Sequence, residues 1–120
     1  MPSSTTPNPR KHERRHQRYL VSWSASVQTA PGQSLPLRVI DVSPCGIGVL
    51  SDDMLPGEGL LSVAVRVPAP GNPGQIRVVQ MQARVIHQAF AGGRNRAGLE
   101  FVQIATADTE LLVRCAQKRV

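Results

Sequence analysis

Three arginines near the beginning of the chain have the chemistry needed to hold a phosphorylated ligand. Arg14 and Arg18 stand in an Arg-x-x-x-Arg spacing, with Arg15 between them. The planar guanidinium group forms paired hydrogen bonds with phosphate oxygens and stacks flat on nucleobases. Two or three such groups on a pliable segment can therefore clamp a nucleotide. The same spacing is also typical of a solvated basic segment without a specific ligand.

A second candidate is the motif Asp41-x-Ser43-x-x-Gly46, which interrupts a run of strand-forming residues. Asp and Ser side chains can bond nearby backbone N–H groups and glycine permits a positive φ angle, so one interpretation is a structural turn. In the other interpretation, an exposed carboxylate accepts hydrogen bonds from a guanine edge, and the hydroxyl bonds the ligand or its water. The motif alone leaves both interpretations open.

The sequence gives little support for a catalytic or metal-binding site. His12, His16 and His87 have no metal-ligand partners at useful spacing, so surface histidines are expected. Ser43 lacks the Gly-x-Ser-x-Gly context of a hydrolase nucleophile, and no phosphate-binding loop of the Walker type is present. The sequence therefore predicts a protein that is not an enzyme and has neither a metal site nor a cofactor.

The charge distribution favours an anionic partner. The formal net charge is +6, and the first twenty residues hold +4 of it, with five basic residues against one acidic residue. A protein that coats duplex DNA more often spreads its basic charge over the folded surface. A single concentrated segment also suits a compact anionic ligand.

Six short strands and one helix are expected to position these residues. From Val21 to Val27, apolar residues alternate with polar ones, which is typical of a strand with one buried face. Further strand patterns occupy residues 35–42, 47–50, 61–67, 76–89 and 97–104. The proline- and glycine-rich segment 68–74 is expected to be a long connection, and Ala91-Gly-Gly93 a tight one.

The end of the chain is typical of a helix over about residues 107–117, capped by Thr106 or Asp108. Six strands and a helix in about a hundred residues favour a small antiparallel barrel, because a closed sheet has no exposed edge. A length of 120 residues fits one domain. Residues 1–12 are expected to form a flexible basic arm, and residues 13–120 a single barrel domain that includes the helix.

The chain has none of the apolar segments that direct a protein to a membrane. Its first ten residues contain no apolar stretch of a secretion signal. No later stretch approaches the ~20 apolar residues that span a bilayer. A soluble protein without membrane insertion is therefore expected.

Taken in order, these motifs make the chain resemble the PilZ domain family. The pattern is the Arg-x-x-x-Arg segment (14–18), one strand and a turn, Asp-x-Ser-x-x-Gly (41–46), and Gly-Leu-Glu-Phe (98–101) in a late strand. The resemblance covers roughly residues 13–104. It implies a mainly β, six-stranded antiparallel barrel of the split-barrel type with a C-terminal helix, which binds the bacterial second messenger cyclic di-GMP.

The resemblance also implies roles for individual residues. The arginines would grip the phosphates and stack on the guanines, while the turn would shape the floor of the site. The residues so assigned are Arg14, Arg15, Arg18, Asp41, Ser43 and Gly46. Val85 is a candidate for a further residue that faces the ligand from the late strands, with no role carried over. One ligand molecule or a stacked pair remains possible.

The sequence thus predicts a cyclic di-GMP-binding sensor or adaptor module that signals to a downstream protein in the bacterial cytoplasm. One alternative is a polyanion or nucleic-acid binder that uses the basic arm and does not need Asp41 or Ser43. The other is a non-catalytic adaptor barrel without nucleotide binding. That barrel would tolerate Arg14→Ala and Asp41→Ala together.

Overall fold

The strands form a closed antiparallel barrel. The structure is a computed structural model that describes residues 17–69 and 71–117, so Arg14, Arg15 and the predicted arm (1–12) lie outside the described residues. The strands are β1 (Tyr19–Ala30), β2 (Gln33–Val42), β3 (Gly46–Ser51), β4 (Leu61–Ala69), β5 (Asn72–Ala91) and β6 (Arg94–Gln103). They are hydrogen-bonded in the order β1-β2-β3-β6-β5-β4, and β4 pairs with β1 to close the sheet. The predicted mainly β class is confirmed.

Branched aliphatic side chains fill the interior of the barrel. In β1, Val21, Trp23, Ala25 and Val27 are all buried, and the residues between them are exposed or half-buried. The predicted alternation is therefore confirmed, and it recurs in β4 from Leu61 onward. Each of these larger side chains contributes about 1.5–3 kcal/mol when it is fully buried.

Helix α1 (Thr106–Gln117) packs against the barrel through a stripe of small and aliphatic side chains. They are Leu111, Leu112, Cys115 and Ala116. Gln117 Nε2 also donates a hydrogen bond to the Tyr19 hydroxyl at 3.0 Å, which ties the end of α1 to the start of β1. No helix among the described residues is long and apolar enough to cross a membrane.

The first turn of α1 differs in one detail from the sequence prediction. The Ala105 carbonyl accepts hydrogen bonds from the N–H groups of Asp108 and Thr109, at 2.9 and 3.0 Å. Ala105 is therefore the N-cap residue of α1, the position that the sequence predicts for Thr106 or Asp108. Asp108 lies inside the first turn, where its carboxylate interacts favourably with the helix dipole.

The prediction of a long connection over residues 68–74 is wrong. Strand β4 continues to Ala69 and β5 begins at Asn72, and these two residues pair with each other. The preceding pair joins Pro68 to Ile76, so the intervening residues of β5 form an irregularity in the ladder. Prolines are tolerated at such irregularities because fewer backbone N–H groups are needed for pairing there.

Candidate functional site

A bulge in β2 places Asp41 on the outer surface of the barrel. Val39 points into the core, and strict alternation would place Asp41 in the interior beside it. The ladder with β3 shifts between these two residues, so Ile40 is an extra residue in β2. The bulge reverses the alternation. As a result, Val42 is buried and Asp41 faces outward, opposite Gly48 of β3.

The Asp41 carboxylate lies on Gly48 and is paired with Arg18. A Cβ built on Gly48 would be 2.8 Å from both carboxylate oxygens, so only glycine leaves the space that the carboxylate occupies. Arg18 Nη1 donates a hydrogen bond to Asp41 Oδ1 at 2.9 Å. The Asp41 side chain is 13% exposed and that of Arg18 is 49% exposed. The guanidinium group therefore covers the carboxylate and keeps donor groups directed to solvent.

Ser43 holds together the turn between β2 and β3. Its Oγ accepts hydrogen bonds from the N–H groups of Cys45 and Gly46, both at 3.2 Å, and donates to the Gly46 carbonyl at 3.3 Å. Its own N–H donates to the same carbonyl at 2.9 Å. The Ser43 side chain is buried. This geometry supports the structural interpretation of the motif, in which the Ser43 hydroxyl holds the turn together.

Gly46 is needed because β6 approaches closely. A Cβ on Gly46 would collide with the backbone carbonyl oxygen of Leu99. The positive φ that a glycine permits is not used at Gly46, which is the first residue of β3 and pairs with Glu100 of β6. The positive φ angles of the described residues occur at Gly32, Gly59, Gly71, Gly92 and Gly93.

Strand β5 contains a bulge like that of β2, next to His87, which is not part of the sequence motifs. The ladder with β6 shifts between Val85 and His87, so Ile86 is an extra residue. Val85 packs against the core and does not face outward as suggested from the sequence. His87 is exposed and lies on Gly98, because a Cβ built there would be 2.5 Å from its Nε2 atom.

Asp41, Gly48, Gly98 and His87 form a row across four adjacent strands. Each is the ladder partner of the next. The carboxylate lies over the first glycine and the imidazole over the second, so the two groups lean toward each other. Opposite Cβ positions in an antiparallel pair are about 4.5–5.5 Å apart. The Asp41 carboxylate oxygens lie 2.8 Å from the Cβ position of Gly48, and His87 Nε2 lies 2.5 Å from that of Gly98. The distance between carboxylate and imidazole is therefore at most roughly 11 Å. We call these four residues the glycine row.

Exposed arginines surround the glycine row. They are Arg18, Arg38, Arg84 and Arg96, and the nearby carboxylates are Asp41 and Glu100. Four positive charges against two negative ones make this surface attractive to a phosphorylated ligand. Within the described residues, no group of three or more His, Cys, Asp or Glu side chains is placed to hold a metal ion.

A cleft of about 660 Å³ lies elsewhere on the barrel. Hydroxyl and amide side chains such as Ser26, Gln28, Ser62, Gln80 and Gln82 line it. Neither the four arginines nor the glycine row contributes to its lining. The cleft and the surface formed by the sequence motifs are therefore different places on the barrel.

Comparisons with known proteins agree with this fold. The solved structure of Bacillus subtilis inhibitor of motility (MotI/DgrA) superimposes with a TM-score of 0.71 at 20% identity, covering 88% of this chain and 52% of that one. Escherichia coli YcgR in complex with c-di-GMP gives 0.62 at 21% identity, covering 83% and 43%. The PilZ domain of CeSA from a cellulose-synthesizing bacterium gives 0.52 at 18% identity, covering 84% and 95%.

These structures establish the fold, and this chain spans about half the length of the first two. No curated protein sequence matches the chain. A family model of the PilZ domain matches residues 10–118, which is nearly the whole sequence. The chain therefore belongs to the PilZ domain family.

Proposed function

We propose that this chain is a cyclic di-GMP-binding sensor or adaptor module that acts without catalysis. The observation that carries the proposal is the ion pair between Arg18 and Asp41. These residues belong to different motifs, 23 positions apart, and their side chains meet at 2.9 Å on one surface. The fold of E. coli YcgR, which was solved with c-di-GMP, supports the same ligand.

Each described residue of the two motifs has a chemical role in this proposal. The guanidinium group of Arg18 donates to a phosphate and stacks on a guanine. The Asp41 carboxylate accepts hydrogen bonds from the N–H groups of a guanine edge. Ser43 and Gly46 fix the turn that carries Asp41. Together they provide anion binding on one side and base recognition on the other.

The proposal extends to residues outside the described ranges. Arg14 and Arg15 add donors for the phosphates, and residues 1–12 act as a flexible basic arm before the single domain 13–120. The arm closes over the bound nucleotide, because ligand contacts compensate the cost of ordering it. A downstream protein in the bacterial cytoplasm then recognises the surface formed by arm and barrel.

Isothermal titration with cyclic di-GMP tests the proposal. A hydrogen bond to a charged group contributes about 1.5–3 kcal/mol, so Arg18→Ala should weaken binding roughly tenfold to more than a hundredfold. Arg77→Ala is the matched control, because Arg77 is an exposed arginine of β5 that lies beside α1. This control should bind like the wild type.

GTP and a short DNA duplex distinguish the proposal from its alternatives. A cyclic di-GMP receptor should bind the cyclic dinucleotide selectively and depend on Asp41, which Asp41→Ala tests. A polyanion binder would bind the duplex with strong salt dependence and lose similar affinity with Arg18→Ala and Arg77→Ala. Binding of none of these ligands would leave an adaptor barrel without nucleotide binding.

A further inference from the structure

We propose that the cleft of about 660 Å³ on the outer face of the barrel binds a neutral oligosaccharide. This site goes beyond the proposed function and is separate from the surface that would hold cyclic di-GMP, because the cleft shares no residue with the glycine row or the arginines around it. Its lining combines a continuous row of hydroxyl and amide side chains, hydrogen-bonding groups that the fold does not use, and almost no charge.

Five uncharged polar side chains of the lining form a row across five adjacent strands. Each is the ladder partner of the next, from β2 through β1, β4 and β5 to β6. Val27, Val63 and Met81, which neighbour them along the strands, point into the core, so the row faces outward. Strands lie about 4.8 Å apart, and the row therefore extends about 19 Å along the barrel surface. We call these residues the polar row: Ser34, Gln28, Ser62, Gln82 and Gln103.

The fold leaves the hydrogen-bonding groups of the polar row unused. In the part of the chain that the structure describes, none of its five side chains has a hydrogen-bond partner within the protein. Gln88 and Gln117 differ, because their amides bond Leu55 and Tyr19. Each amide of the polar row offers two donors and an acceptor oxygen, and each hydroxyl offers both functions. The polar row therefore presents donors and acceptors side by side to an occupant of the cleft.

The cleft is almost uncharged, although the chain has a formal net charge of +6. Among residues 17–69 and 71–117, Asp108 in the first turn of α1 is the one charged residue of the lining. No arginine or lysine of these ranges lines the cleft, so it lacks the groups that hold phosphate. The lining therefore matches an uncharged ligand whose groups both donate and accept hydrogen bonds.

A carbohydrate chain has this chemistry. Its hydroxyl groups donate and accept hydrogen bonds, and its C–H groups can contact Ala64 and Ile104 in the same cleft. A peptide strand matches less well, because it adds to a free sheet edge, whereas β1, β4 and β5 are paired on both sides at the polar row. A volume of about 660 Å³ lies within the usual range of ligand sites, about 300–1,000 Å³.

Titration of the full chain with neutral pentasaccharides of glucose, mannose and N-acetylglucosamine tests the proposal. At least one of the three should bind saturably. Loss of one neutral hydrogen bond weakens binding about twofold to twelvefold, so Gln28→Ala and Gln82→Ala should each have an effect of this size. Gln75→Ala is the matched control, because Gln75 is an exposed glutamine of β5 that does not line the cleft. The control should bind the sugar like the wild type.

Titration of the same variants with cyclic di-GMP separates this proposal from the proposed function. All three should keep the wild-type affinity for the dinucleotide. A wild type that binds none of the pentasaccharides would overturn the oligosaccharide site alone. Sugar binding that Gln28→Ala and Gln82→Ala leave unchanged, or that Gln75→Ala weakens equally, would also overturn it, because the sugar would then bind outside the cleft.

NMR of the wild type gives a readout that does not depend on the folding of a variant. The side-chain NH2 signals of Gln28, Gln82 and Gln103 should shift when the pentasaccharide is added, while those of Gln75 stay in place. Unchanged signals from the polar row would count against the oligosaccharide site even if the sugar bound.

Discussion

His87 and Gln88 are consecutive residues of β5, yet they belong to two different regions of the molecule. The imidazole lies outside, at the end of the glycine row, where it is exposed and rests on Gly98. The Gln88 amide forms two hydrogen bonds with the backbone of Leu55, both at 3.0 Å, and accepts one from Asn95 Nδ2 at 2.9 Å. The His87 side chain is exposed on the outer surface, and the Gln88 side chain is hydrogen-bonded within the fold.

The inner region is a polar network in a mostly aliphatic barrel. Asn95 is fully buried, and its Nδ2 group also lies 3.3 Å from Ser51 Oγ. Ser51 Oγ donates to the Asp53 carbonyl at 2.6 Å. Asn95 Oδ1 is the buried side-chain atom without a hydrogen-bond partner in the described part of the chain. These contacts attach the segment after β3 to β5 and β6.

The difference shows how one bulge places neighbouring side chains in two different environments. Interior polar groups depend on the protein for their hydrogen bonds, because an unpaired buried group, such as Asn95 Oδ1, costs about 1–3 kcal/mol. Polar groups on the outer face keep their bonding capacity for a ligand, since water satisfies them otherwise. A single bulge at Ile86 assigns one residue to each region. Mutations in the two regions should therefore have separable effects.

The largest expected effect is the loss of stability on Gly46→Ala, because the turn of the site is also part of the fold. A Cβ at this position meets the Leu99 backbone carbonyl, which cannot rotate away. The free energy of unfolding should fall by about 3 kcal/mol, as in other cases of severe overpacking. Chemical denaturation measures the change.

Gly57→Ala is the matched control for Gly46→Ala, because neither glycine has a positive φ and the added methyl group at Gly57 has open space. The control should change stability by less than about 0.5 kcal/mol. Equal stability of the two variants would show that β3 and β6 separate easily, and the close approach at Gly46 would then not be a constraint on the site.

A smaller loss, about 1–3 kcal/mol, is expected for Gln88→Ala, because the variant leaves the Leu55 backbone and Asn95 without their partner. Affinity for cyclic di-GMP should stay within about twofold of the wild type. Denaturation and titration of the same sample measure both quantities. Arg18→Ala should show the reverse pattern, and a binding defect in Gln88→Ala at a temperature where it is folded would contradict the separation of the two regions.

Local sequence patterns were sufficient to predict most of the barrel. The alternation in β1 fixed its buried face, and the pair Gly92-Gly93 fixed the turn between β5 and β6 with φ angles of 63° and 77°. The motif Asp41-x-Ser43 identified a turn, although its hydroxyl had two possible roles. Such features depend on residues near in sequence, and intrinsic preferences therefore reveal them.

The bulges, in contrast, could not be predicted from the sequence. Ile40 and Ile86 are β-branched residues that fit a regular strand equally well, so nothing local marks them as extra residues. The partner strand determines the register, and it lies far away in sequence. A one-residue slip reverses the face of every following side chain. For this reason, the sequence offers Val85 as a candidate for the outer face, although Val85 packs against the core and His87 is the exposed residue.

The smallest effect is expected for Arg84→Ala, which removes an arginine–carboxylate pair next to the glycine row. The Arg84–Glu100 pair has a 3.0 Å contact, like the Arg18–Asp41 pair at 2.9 Å, but its carboxylate is 45% exposed against 13% for Asp41. Exposed pairs contribute little because water and salt screen them. Stability should change by less than about 0.5 kcal/mol, and affinity for cyclic di-GMP by less than about threefold.

Parallel titrations of Arg84→Ala and Arg18→Ala at low and high salt therefore compare two arginines of similar geometry on one surface. If the ligand recognises a defined site, Arg18→Ala should lose far more affinity at both salt concentrations. If both variants lose similar affinity at low salt and the difference from the wild type disappears at high salt, the arginines act only through their summed charge. The covered carboxylate of Asp41 would then have no specific part in binding.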